Sequence, residues 1–138
     1  MKRYLLFTVF ISGMATLGAE LTAGRLIGNV FGTSNLVWAS IIGLILIYLA
    51  FGYHLGGKWA DKNPTPLAMY RILAWAAFTI GLVPYAAVPV LRSAAGAFEA
   101  LSVGVMAGSF IAVLVLFIVP ITLLGTISPF AIRLSMDN

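Results

Sequence analysis

Four long apolar runs, separated by short polar breaks, set the pattern of this chain. The first covers residues 4–27 and is interrupted by little more than Glu20 and Arg25. Gly28, Asn29, Gly32, Thr33 and Ser34 then mark a turn, with Ser34 or Asn35 placed to cap the next helix. The second run covers 35–59 and stops at Asp61, Lys62, Asn63 and Pro64. Thr65 and Pro66 are a cap and a first helical residue for the third run, 67–91. Pro84 and Pro89 are expected to kink or shorten its end. Residues 92–102 read as a connection, with 94–101 as an amphipathic interfacial stretch. The fourth run, 103–127, carries Pro120, and Ser128 and Pro129 are expected to close it, leaving a short tail. Each run reaches the roughly 20 residues a helix needs to cross a bilayer. The pattern predicts a single all-α transmembrane domain, a bundle of four membrane-spanning helices.

Within the first run, Ser12, Thr16, Glu20, Gly24 and Gly28 recur every fourth residue and form one small, polar stripe. Such a stripe suits a protein neighbour better than lipid, because small residues let backbones approach and hydroxyls reach across. Glu20 and Arg25 are about 140° apart around a helix, which disfavours a pair within it. Glu20 therefore needs a partner elsewhere, a water or a proton. Gly52 and Gly56 in the second run, and Gly104 and Gly108 in the fourth, repeat the small-residue spacing and are candidate helix-packing positions. Tyr4, Trp38, Trp59, Tyr53, Tyr70 and Tyr85 fall toward helix ends, where aromatic side chains anchor at the headgroup level. Trp75 lies deeper and is expected to pack.

Composition agrees with the pattern. Of 138 residues, 62% are hydrophobic and 9% charged, where a soluble domain has about 25%. The net charge of +4 does not indicate a nucleic-acid partner, since the cations sit at the ends of apolar runs. Lys2, Arg3, Lys58, Lys62, Arg71 and Arg133 fall on one side of a four-helix layout, and Arg25 and Arg92 on the other. The positive-inside rule then puts both termini in the cytoplasm, in the inner membrane of a bacterium or archaeon. The N-terminal run is too long for a signal peptide and reads as a retained helix. With no cysteine and one histidine, the chain offers no thiolate chemistry and no histidine metal cluster. No catalytic constellation, phosphate loop or cofactor motif is present.

Three blocks look familiar. Ser12-Gly13-Met14-Ala15-Thr16-Leu17-Gly18-Ala19-Glu20 leads to Arg25-Leu26. Phe31-Gly32-Thr33-Ser34 and Val37-Trp38 lead on to Ala50-Phe51-Gly52-Tyr53-His54-Leu55-Gly56-Gly57-Lys58-Trp59-Ala60-Asp61. The last is Pro120-Ile121-Thr122-Leu123-Leu124-Gly125-Thr126-Ile127-Ser128-Pro129-Phe130-Ala131-Ile132-Arg133-Leu134. In order and spacing they resemble the N-terminal transmembrane region of membrane-integrated spermidine synthase-like proteins, the fused transporter/spermidine synthase family. In that family a soluble, Rossmann-type aminopropyltransferase domain comes next and binds decarboxylated S-adenosylmethionine and a polyamine. No position here matches its catalytic motif, so the resemblance implies a membrane module and not an enzyme.

The expected function is a non-catalytic membrane subunit or anchor that assembles with other chains in the bilayer. A separate synthase-like chain is the candidate partner, docking near Lys58, Asp61, Lys62, Arg71 and Arg133. The alternative is a small homodimeric transporter or channel that moves a polyamine or proton past Glu20, with Ser12, Thr16 and Arg25 as its polar neighbours.

Overall fold

A computed structural model describes residues 2–101 and 105–136. The described chain is helical throughout: α1 Lys2–Phe31, α2 Asn35–Lys62, α3 Pro66–Leu101, α4 Val105–Gly125 and α5 Ile127–Met136. Among the described residues, four stretches are long and apolar enough to cross a membrane: α1, α2, α3 up to Ser93, and α4 from Phe110 joined with α5.

Three-residue links join α1 to α2 and α2 to α3. Helix α1 packs beside α2, whereas α2 and α3 each pack chiefly on α4 and not on one another. Gly32 ends α1 in the left-handed region, at φ 84°, and its N–H donates to the Gly28 carbonyl at 2.9 Å. A glycine adopts that conformation without steric cost. Ser34 caps α2, its hydroxyl oxygen accepting from the Val37 N–H. Thr65 does the same for the Ala68 N–H, and Pro66 opens α3 where its missing N–H costs nothing.

The third helix does not end near residue 91, as the prolines suggested. It continues through Pro84 and Pro89 to Leu101, so Arg92 lies within α3 and not in a connection. Each proline removes one backbone donor but keeps a helical φ. Beyond them the chain is rich in alanine, the strongest helix former. The Ser93 hydroxyl also donates back to the Pro89 carbonyl at 2.9 Å. At 36 residues α3 is about 54 Å long, well beyond a hydrocarbon core of about 30 Å.

The C-terminal end also departs from expectation. Pro129 does not close a helix; it sits in the first turn of α5, where an N–H would have no intrahelical partner. The break falls at Thr126, and the expected tail is a packed helix that buries Ile127, Phe130, Ala131 and Leu134.

The core lies between α2 and α4. Ile41, Leu44, Ile45 and Tyr48 of α2 are buried with Ala112, Val113, Leu116, Phe117 and Ile121 of α4. The two backbones touch lower down. A Cβ on Gly52 would collide with the Thr122 carbonyl oxygen and lie 2.8 Å from the Gly125 Cα. One on Gly56 would lie 2.6 Å from the Thr126 Cα. A second cluster closes that end of the bundle: Ala60 of α2, Met69 of α3, and Ile127, Phe130 and Leu134 of α5, with Leu5 of α1 packed against them. The start of α1, the end of α2, the start of α3 and α5 therefore share one end of the molecule.

Candidate functional site

Helix α1 is the most exposed of the four spans. Its buried positions are Ser12, Ala19, Ala23, Gly24, Ile27 and Phe31. Glu20 is three residues before Ala23 and seven before Ile27, so it projects from the inward-facing side of the helix. It is nonetheless only half-buried. Among the described residues it forms no ion pair or hydrogen bond. Arg25 is exposed and points elsewhere.

The stripe around Glu20 is not one environment. At one end, the Thr16 hydroxyl donates to the carbonyl of the buried Ser12 at 3.0 Å, which satisfies Thr16 within its own helix. At the other end, Gly24 is a socket for the Trp38 ring, whose edge would collide with a Cβ there, and Gly28 faces the Thr33 methyl. Trp38 is thus a packing residue of the α1–α2 turn as well as an aromatic near a helix end. Between these ends the face opens. Gly13 lies two turns before Glu20 on the same side, and a Cβ there would meet nothing within 4 Å.

The other small residues differ from one another. Gly52 and Gly56 lie at the backbone crossing with Gly125, Thr126 and Pro129. Gly108 receives the Phe31 ring of α1 and not another small face. Gly104 lies outside the described residues. Trp75, expected to pack, is instead exposed on α3 and meets Phe78 edge to face at 5.8 Å.

At the end of the bundle shared by Leu5, Ala60 and Met69, Arg133 and Asp61 form an ion pair at 3.6 Å. Asp61 is 76% exposed, so the pair contributes at most about 1 kcal/mol. Lys58 and Lys62 lie one turn apart near the end of α2, where the helix dipole favours cations, and Arg71 lies near the start of α3; all three are exposed. No group of three or more His, Asp or Glu side chains gathers among the described residues.

Two features were not anticipated. Tyr48 of α2 is buried, and its hydroxyl has no hydrogen-bond partner among the described residues. Its position one turn before Gly52 on the inward face was the available signal. Two apolar grooves also flank the first half of α1. One, of about 350 Å³, runs between α1 and α3 over Leu124; it is lined by Phe7, Thr8, Ile11, Ser12 and Ala15 on one side and by Tyr70, Leu73, Ala77 and Ile80 on the other. The second, of about 300 Å³, lies between α1 and α5. Neither has Glu20 in its lining. Comparisons with protein-family models, curated proteins and solved structures find no match for this chain.

Proposed function

We propose that the chain is an integral membrane protein with both termini in the cytoplasm of a bacterium or archaeon, and that it works as a non-catalytic subunit or anchor assembled with other chains. The observation that carries this reading is the open face of α1. A carboxylate projects inward at Glu20, stays half-buried and has no partner within the described chain. Gly13, two turns away, leaves room for another backbone. A charged group at a helix centre costs on the order of 2.5–3.5 kcal/mol in a bilayer, so a neighbour that donates hydrogen bonds to Glu20 would be favoured there. Small residues flanking an acid are what a docked helix requires. The basic residues Lys58, Lys62 and Arg71 are exposed at the opposite end, where a cytoplasmic domain of the partner would meet them. The resemblance to spermidine synthase-like proteins makes a synthase-like chain the first partner to test.

Extraction in a mild detergent, with crosslinkers placed at Leu17 and Leu21, tests this. Both positions are exposed on α1 beside Glu20. The expected result is a stoichiometric complex with another chain, crosslinked through α1. A monomer with no adduct overturns the proposal. The second reading, a homodimeric carrier of a polyamine or proton, is favoured by the same unpartnered carboxylate. It requires a self-adduct, and cation flux in proteoliposomes that Glu20→Gln abolishes. Flux unchanged by Glu20→Gln removes it.

A further inference from the structure

A shallow groove of about 300 Å³ lies along one flank of α3, and a cation lines it. Its walls are Arg71, Ala74, Trp75 and Phe78, all exposed and recurring at helical spacing. They occupy a different face of α3 from Leu73 and Ala77, which look toward α1. Among the described residues Arg71 has no ion pair or hydrogen bond. Asp61, at the same end of the bundle, is engaged by Arg133. Depth decides what meets this groove. The apolar stretch of α3, Pro66–Ser93, has 28 residues and is about 42 Å long. A hydrocarbon core of about 30 Å leaves about 6 Å of it in the headgroup region at each end. Arg71 comes five residues, about 7.5 Å, after Pro66, which puts it at the hydrocarbon boundary. A helical side chain leans toward the N-terminus of its helix, so the guanidinium reaches out to phosphate level. Trp75 and Phe78 lie about 6 and 10 Å deeper, beside the upper part of an acyl chain.

We infer that this groove binds an anionic phospholipid, with Arg71 on the phosphate and an acyl chain against Trp75 and Phe78. The inference rests on the membrane reading above. Acyl chains of any lipid can cover the aromatic wall, so the wall supplies shape and Arg71 supplies the preference. A guanidinium and a phosphate match as a bidentate, charge-assisted pair. A zwitterionic headgroup brings its own cation to the same place and cancels part of that attraction, whereas the glycerol headgroup of phosphatidylglycerol brings none. Each basic residue near the membrane surface favours an anionic lipid by about fivefold. This gives Arg71 to the bilayer and leaves Lys58 and Lys62 for a cytoplasmic partner.

The test reconstitutes the full chain in vesicles of equal parts phosphatidylglycerol and phosphatidylcholine, with one lipid or the other brominated on its acyl chains. Bromine quenches tryptophan fluorescence only on close approach, and subtracting the signal of Trp75→Phe separates Trp75 from Trp38 and Trp59. Brominated phosphatidylglycerol is expected to quench Trp75 more than brominated phosphatidylcholine does, with occupancy favouring the anionic lipid about fivefold. Arg71→Gln should bring the two lipids to parity. Lys58→Gln with Lys62→Gln removes charge outside the groove and should leave the preference as it is. Equal quenching by the two lipids in the unaltered chain, a preference that survives Arg71→Gln, or an equal loss in the lysine variant overturns the inference. So does quenching of Trp75 by neither lipid, which would mean that a protein neighbour covers this flank of α3. A chain that fails to enter the vesicles overturns the membrane reading instead, and flotation on a density gradient reports that separately.

Discussion

Gly52 and Gly13 are both glycines in the middle of helices, and they predict opposite responses to the same substitution. A Cβ on Gly52 meets backbone on two sides, the Thr122 carbonyl oxygen and the Gly125 Cα, and backbone cannot rotate away. Gly52→Ala should therefore destabilise by about 1–3 kcal/mol, the usual cost of overpacking. Gly13 has open space around it. Gly13→Ala should stabilise the isolated chain by about 0.5–1 kcal/mol, because alanine is the better helix former. Unfolding midpoints in the same detergent separate the two, and a neutral Gly52→Ala would mean that α2 and α4 do not cross there. Gly13→Leu adds a separate test of the proposed partner helix: it should disrupt the complex while leaving the isolated chain folded. The small-residue spacing was legible in the sequence, but the kind of neighbour was not. A glycine that admits a ring, such as Gly24 or Gly108, and a glycine that admits a backbone, such as Gly52, look alike along the chain.

Helix α5 shows where an element-level reading was ambiguous. Ser128 and Pro129 after an apolar run fit a helix stop, yet a proline in a first turn fits a helix start equally well. The residues around and after the proline decide between them: Ile127, Phe130, Ala131 and Leu134 repeat at one-turn spacing and are all buried. Phe130→Ala should cost about 3–5 kcal/mol, since Phe130 is 1% exposed in the cluster that closes this end of the bundle. Ile132→Ala, 62% exposed on the opposite face, should stay within about 0.5 kcal/mol. Comparable small losses for both would return residues 127–136 to the status of a tail. The caps at Ser34 and Thr65 were easier to read, because a hydroxyl before an apolar run and a proline at the first helical position have few other uses. The far end of α3 was harder. Two prolines argue for a stop, and only the alanine-rich continuation argues against it.

The arrangement of charge over the whole bundle sets how it should sit in a membrane. Packing of Leu5, Ala60, Met69 and Leu134 into one cluster brings Lys2, Arg3, Lys58, Lys62, Arg71 and Arg133 to the same end of the molecule. Arg25 and Arg92 belong to the other end. Positive charge is retained on the cytoplasmic side, and a bias of six against two is strong for so small a protein. Without a native cysteine, single substitutions give unambiguous labels. Thr33→Cys, in the α1–α2 link, should react with a membrane-impermeant maleimide in intact cells. Asn63→Cys, in the α2–α3 link, should react only after the membrane is opened. The reverse pattern would place the basic end outside. It would also move the exposed lysines away from any cytoplasmic partner and require the docking proposal to be abandoned, while the open face of α1 around Glu20 would still call for a neighbour within the membrane.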